Sequence, residues 1–380
     1  MVSRVYLVPG FFGFANFGDL KYFHHVEEAL HEAFCRRGRN IQVIRVDTLP
    51  AASLARRAAR LREIIVETAG GDADPIHVIG HSTGALDARL LVQPDRARDT
   101  DEAMVARVRS VVSVAGAHQG TPLASVFKSA FGKDLLKVLG TMTIHTLRLG
   151  PLSVGTAVRL AALLAAFDTA VGAKKDLIDQ IEEQILADFS ADRRAVLEAF
   201  FSELVADQTL LDELTPEVCR HFDAHTTDRD GVRYGCVVTS APAPGISSTL
   251  HAGLSPVAQA SHAIYHALYR INAGAAFAEI PVAAVDAHRQ LTAQLGAMPV
   301  ASDNDGAVPT LSQFHGQLIH AVRADHHDVI GHFDDAGHDP PHIDWLVSGS
   351  RFRRPQFLEL WGEVAGFIDS AETLPSSSTA

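Results

Sequence analysis

The sequence predicts an α/β protein with a mostly parallel central sheet, helices on its flanks and a large helical insertion. Three observations carry this. In the first third, apolar runs of strand length alternate with segments of helical period, the pattern of stacked βαβ units. A Gly-x-Ser-x-Gly pentapeptide at 80–84 falls between a strand-like run and a helical one. From about residue 122 to 233 helical periodicity continues without a convincing strand, longer than an ordinary crossover.

Taken in order, strands are expected at 4–8, 41–46, 76–79 and 110–115, each a short run rich in Val and Ile. Between the second and third, residues 53–65 carry Leu and Ile on one helical face with Arg opposite, and the helix should end near Gly70-Gly71. Within the middle, 177–186 has clear helical spacing. Strands resume at 234–239, 298–301 and 317–322, with a helix around 263–270 in a second insertion and another at 355–368. These elements suggest a core of 1–121 and 234–372, a cap or lid of 122–233, and a flexible Ser-rich tail at 373–380. No internal repeat is visible.

Composition narrows the function. The 380 residues contain 33 Lys and Arg against 45 Asp and Glu, a formal charge of −12, which argues against nucleic acid as partner because phosphate contacts need a basic stripe. With 47% hydrophobic and 21% charged residues the chain reads as globular. Cys35, Cys219 and Cys236 are widely spaced, odd in number and lack Cys-x-x-Cys, which suits a reducing compartment better than a disulfide framework or a zinc ribbon. Residues 1–8 run at once into a strand with no signal-peptide pattern, so a cytoplasmic location is expected, with export by a signal-less route left open. The most apolar helical stretch, 151–167, is interrupted by Arg159 and too short to span a bilayer, so no transmembrane segment is expected.

The chemistry starts at Gly80-His81-Ser82-Thr83-Gly84. A serine lifted on a sharp strand-to-helix turn needs glycines at both flanks, because the turn brings backbone too close for a Cβ. It also sits beside a helix N-terminus whose positive end favours a developing oxyanion. A serine at its free pKa is a poor nucleophile and needs a histidine base held by a carboxylate. Ser302-Asp303-Asn304-Asp305-Gly306 and Asp325-His326-His327-Asp328 offer both, each in a loop expected at a strand's C-terminal end, where this architecture binds ligands. Alone, Asp-Asn-Asp-Gly is an ordinary turn, and a chain with 20 histidines has many in solvated loops. Their order after Ser82 makes them candidates.

Four segments together resemble the bacterial true lipases of the α/β-hydrolase superfamily, of the Pseudomonas and Burkholderia type. Leu7-Val8-Pro9-Gly10-Phe11-Phe12-Gly13-Phe14 is similar to their oxyanion loop and Gly80 to Arg89 to their elbow. Gly116-Ala117-His118-Gln119-Gly120-Thr121-Pro122 is similar to a turn after the next strand, and Asn304-Asp305-Gly306 with His326-His327-Asp328 to their acid and base loops. Leu214-Thr215-Pro216 together with Gly231-Val232-Arg233-Tyr234 is a weaker match to the same family. The clear likeness covers about the first third and roughly 300–333, not the helical middle. It implies Ser82 as nucleophile, Asp305 as orienting acid, His326 as base, and the backbone N–H groups of Phe11 and Thr83 as oxyanion hole. It also departs in places. Pro9 replaces a usual histidine, and the spacing from Asp305 to His326 is one residue short, which keeps His327 as the alternative base. The paired cysteines of some relatives are not recognisable. Asp328 matches a calcium ligand in some relatives, but no partner carboxylate is evident, so neither metal nor cofactor is assigned. His332, Asp334, Asp335, His338 and His342 are irregularly spaced around Pro340-Pro341 and read as a polar loop rather than a zinc site.

The expected reaction is hydrolysis of carboxylic esters through an acyl-enzyme, on lipid-like or medium to long acyl chains. Serine at the elbow turns the chemistry away from alkyl halides and epoxides, whose hydrolases on this fold use a carboxylate nucleophile. Apolar faces at 160–167 and 196–201 could shield a pocket and make transient contact with a lipid interface, or simply pack with one another. Three alternatives use the same residues or lose their function: an acyltransferase or polyester depolymerase, a serine peptidase, and a non-catalytic lipid-binding relative.

Overall fold

The computed structural model describes residues 2–11, 13, 21–69, 73–94, 102–150, 152–165, 175–207, 209–274, 285–335, 337, 342, 344 and 346–372. Six strands, β1 (Ser3–Val8), β2 (Ile41–Arg45), β3 (Ile76–His81), β4 (Val108–Val114), β5 (Arg233–Thr239) and β6 (Gln317–Val322), form one sheet in the order β2-β1-β3-β4-β5-β6. All five pairings are parallel. Because successive side chains point to opposite faces, Tyr6, Val8, Val78 and Val111 pack on one side with Leu61, Ile64, Ala88 and Leu91. Val5, Leu7, Ile79 and Val112 pack on the other with Leu30, Phe34, Leu360 and Val364.

The helices are α1 (Val26–Arg36), α2 (Leu54–Ala69), α3 (Gly84–Val92) and α4 (Glu102–Val105) before β4, and α15 (Arg354–Glu372) at the end of the described chain. Between β4 and β5 lie α5 (Pro122–Phe127), α6 (Ala130–Leu149), α7 (Val154–Ala165), α8 (Lys175–Leu186), α9 (Ala191–Ala206), α10 (Thr209–Glu213) and α11 (Pro216–His225). After β5 come α12 (Ile246–His251), α13 (Pro256–Ala273) and α14 (Val285–Leu295). Several starts follow from local chemistry: Thr121 and Ser255 cap the first turns of α5 and α13, each followed by a proline that lacks the N–H a first turn cannot use. No described helix is long and apolar enough to cross a membrane.

Two expectations from sequence are corrected. Residues 298–301 form no strand. Pro299 has no N–H for a ladder, and the chain turns instead, with Asp303 accepting from Val300 N at 2.9 Å and its own N–H donating to Val300 O. The Asp305 loop is therefore reached from α14, not from a strand, although Ala241 N donates to Asn304 O and docks the loop just beyond β5. On α2 the arginines do not all face solvent: Arg57 is 0% exposed. The tail 373–380, Gly70-Gly71 and His338 lie outside the described residues.

Candidate active site

The sheet's C-terminal edge is where its loops converge, as parallel α/β folds require. Ser82 stands there on the turn from β3 to α3 with φ 54°, a left-handed conformation that a non-glycine residue holds only under constraint. Its neighbours impose it. A Cβ on Gly80 would lie 2.2 Å from Gly84 O, and one on Gly84 would lie 2.3 Å from Val8 O, so the two glycines let the turn close on itself and on β1. Ser82 N donates to Val114 O at 3.0 Å, fixing the turn against β4.

Asp305 is fully buried and His326 nearly so. Asp305 Oδ1 accepts from the backbone of Ala307 and Val308 at 2.9 and 2.7 Å. Oδ2 accepts from Thr239 Oγ1 at 2.7 Å, Gln313 Nε2 at 3.1 Å and His326 Nδ1 at 2.8 Å. The carboxylate is thus locked, and it locks the imidazole with Nε2 turned away from it. His327, the alternative from sequence, lines the same cavity, but its backbone N–H donates to Asp325 and the carboxylate of Asp305 is bonded to His326. Thr239 and Gln313, which hold Asp305, were not singled out from sequence; a polar residue inside the apolar β5 run was the available signal for Thr239.

The loop after β1 presses on the elbow: a Cβ on Gly10 would lie 2.7 Å from Ser82 Cβ. Arg57 Nη2 donates to Pro9 O at 2.8 Å and is within 3.4 Å of Gly10 O. In a trans peptide the C=O and the following N–H point oppositely, so the pull on Gly10 O turns the Phe11 N–H away from Arg57. Phe11, Ser82, Thr83, His326 and His327 all line one cavity of about 140 Å³. Its remaining wall is apolar and comes largely from the helices between β4 and β5, through Leu123, Phe127, Leu136, Leu139, Leu211 and Leu214.

A buried hydrogen-bonded chain links the three loops. His81 Nε2 lies 2.9 Å from His326 O, and since a carbonyl only accepts, Nε2 carries the proton. His81 Nδ1 is then the acceptor from Tyr22 O–H at 2.7 Å, and Tyr22 oxygen accepts Gly10 N–H at 2.9 Å. Burial, and the nearby His326, push the His81 pKa well below the usual histidine range, consistent with this neutral tautomer. Tyr22→Phe strands two buried polar groups, at a cost of about 1–3 kcal/mol; urea denaturation should show that loss, and kcat should fall with little change in KM.

Next to His326, Asp325, Asp328 and Asp344 bring carboxylate oxygens within 4.8 Å of one another. The partner that the sequence did not reveal for Asp328 is therefore its near neighbour Asp325, joined by Asp344 from a later loop. Burial raises the Asp325 pKa to about 7 and holds Asp328 and Asp344 well above the carboxylate range, the three repelling one another. Buried like charges call for protons or a cation, and an all-oxygen donor set suits calcium. Asp325 also accepts from Ser348, and Asp328 from Ser350, so a cation would brace the turn that carries His326. The sign follows from the raised values: the native trio binds more protons than the unfolded chain, so its contribution to stability is lost as pH rises from the ordinary carboxylate range through the raised native values, about 7 for Asp325. Calcium should raise the melting temperature more at pH 8 than at pH 5.5, and Asp344→Asn should shrink that difference; an equal calcium effect at both pH values counts against the site.

Comparison with known proteins adds the fold. No family model and no curated protein matches the chain. Among solved structures, the lipase of Staphylococcus hyicus superimposes with a TM-score of 0.52 at 16% identity, covering 100% of this chain and 97% of that one. EstA from Clostridium botulinum gives 0.51 at 13% identity, covering 97% and 87%. The chain has the α/β-hydrolase fold. In this fold the elbow, the Asp305 loop and the His326 loop occupy the sheet edge where such folds bind ligands.

Proposed function

We propose that this α/β-hydrolase is a carboxylic ester hydrolase that works through an acyl-enzyme on Ser82. The observation that carries the reading is the Asp305–His326 pair, 2.8 Å apart, with His326 lining the same apolar cavity as Ser82, a serine at φ 54°. His326 Nε2 takes the Ser82 proton as Oγ attacks the ester carbonyl, and the N–H groups of Phe11 and Thr83 receive the oxyanion. As the tetrahedral intermediate collapses, the C–O bond to the alcohol breaks and His326 returns the proton to the leaving oxygen. His326 then takes a proton from water as it adds to the acyl carbonyl, and returns it to Ser82 Oγ as the C–O bond to Ser82 breaks and the acid leaves. Asp305 holds the imidazole in the tautomer that leaves Nε2 unprotonated to begin each step.

The cavity supports an apolar acyl group as substrate, because its lining is nearly all hydrocarbon. Its volume of about 140 Å³ accommodates a short acyl chain as it stands. Longer, lipid-like chains would need α5 and α6 to move, which makes residues 122–233 a cap over the site. A p-nitrophenyl ester series from acetate to palmitate, run with Ser82→Ala, tests both parts. Ser82-dependent hydrolysis strongest at short to medium chains supports an esterase with a closed cap. A maximum at long chains that rises on an emulsion supports a lipase whose cap opens. Unchanged hydrolysis in Ser82→Ala, with no labelling of Ser82 by a phosphonate ester, overturns the reading.

A further inference from the structure

Away from the catalytic residues, four histidines from two distant segments meet. His24 and His25 stand just before α1, and His332 and His342 follow the His326 loop. The backbone builds this meeting. His24 N donates to Ile330 O at 2.8 Å, and Gly331, at φ 98°, lies so close that a Cβ there would fall 1.8 Å from His24 O. Asp335 and His342 exchange both backbone hydrogen bonds at 3.1 Å, which fixes His342 next to Asp335. The His24 ring stacks on that of His342 with centroids 4.1 Å apart, and His332 and His342 rings are 5.3 Å apart.

The tautomers define what the cluster offers. His332 Nε2 lies 2.9 Å from Tyr22 O and must donate to it, so Nδ1 carries a lone pair. That lone pair points at His342 Nε2, 3.2 Å away. An imidazole whose far N–H is anchored on a backbone carbonyl is the usual arrangement of a metal ligand. The separation also fits, because two nitrogens bound tetrahedrally at about 2.0–2.1 Å from zinc lie about 3.3–3.4 Å apart.

We propose that His332 Nδ1 and His342 Nε2 are the paired ligands of a zinc-class divalent ion, with His24 as third ligand. Binding turns the His24 ring from its stacked position so that a nitrogen meets the ion, and a water completes the tetrahedron. His25, whose Nε2 is 4.0 Å from Asp335 Oδ2, lies beside the site and not in it. Imidazole ligands select zinc or cobalt over calcium, which prefers oxygen, so this site is distinct from the Asp325, Asp328 and Asp344 group. Since Tyr22 anchors both His332 and the Gly10 N–H, the ion would clamp the segment after the oxyanion loop to the segment after the base. The proposal does not depend on the ester-hydrolase reading.

The test uses the full chain stripped with EDTA and kept in calcium, so that the carboxylate site does not compete. Cobalt should give the visible absorption of a tetrahedral ion at about one equivalent, zinc should displace it, and zinc should raise the melting temperature. His332→Ala/His342→Ala should lose all three responses while its far-ultraviolet circular dichroism stays unchanged. On the unaltered protein, zinc should also shield His24, His332 and His342 from diethyl pyrocarbonate, mapped by mass spectrometry, while the exposed His31 and His251 stay reactive; this covers the case of a double variant that fails to fold. Absence of the cobalt spectrum, a spectrum retained by the folded double variant, or no shielding at His332 and His342 overturns the proposal and leaves the 3.2 Å contact a plain hydrogen bond.

Discussion

His326→Ala should lower kcat/KM for ester hydrolysis by about 10⁴-fold or more, while His327→Ala should keep activity within about tenfold of the parent. Both histidines face the cavity, and sequence spacing left either as base. The carboxylate separates them: Asp305 Oδ2 accepts from His326 Nδ1 at 2.8 Å, and that oxygen is further fixed by Thr239 and Gln313. The imidazole that Asp305 holds is thereby fixed in one tautomer and in one place against the cavity. Burial, with His326 and His81 close by, pushes the His327 pKa well below the usual histidine range, which makes it a weak proton acceptor near neutral pH. Steady-state kinetics of the two variants on one soluble ester check this. A collapse of activity in His327→Ala with His326→Ala still active would reverse the assignment.

Arg57→Ala should destabilise the protein by about 3–5 kcal/mol, the cost of leaving one member of a buried ion pair alone. Arg57 and Asp87 are both 0% exposed, with Nη2 and Oδ2 2.7 Å apart. Burial raises the Asp87 pKa to about 6 while Arg57 draws it down, so removing the guanidinium drives Asp87 towards its protonated form. Arg57 also donates to Leu49 O and Pro9 O, so its loss frees the loop after β1. The double variant Arg57→Met/Asp87→Leu separates the two roles. It should recover most of the stability in urea denaturation, because an apolar pair of similar volume replaces a desolvated ion pair, yet keep a depressed kcat because nothing turns the Gly10–Phe11 peptide. Full recovery of kcat in the double variant would show that Arg57 serves stability alone.

The Gly80–Gly84 elbow, the alternation of strands with helices and the helical run after β4 were legible because each is a local pattern. Glycines flank the serine wherever a turn closes this tightly, and strand and helix periods are written in consecutive residues. The same local reasoning misread 298–301, where an apolar run contains a proline and the neighbouring Asp303 offers the backbone a turn. It also placed all the α2 arginines on a solvent face, because periodicity carries no information about a buried charge whose partner, Asp87, lies on another helix.

The sequence by itself determined six of its seven expected strand segments and the position of the serine turn, since these follow from backbone sterics and residue type along the chain, and it offered Asp305 with His326 or His327 only as candidates. Only the tertiary structure decided which histidine Asp305 holds, that Asp344 joins Asp325 and Asp328, that Tyr22 connects Gly10 to His81, and that His24 meets His332 and His342. Each of these is a contact between segments far apart in the chain. A hydrogen bond or a carboxylate cluster depends on distances of a few ångströms in space, and those are set by how the loops at the sheet's edge pack together.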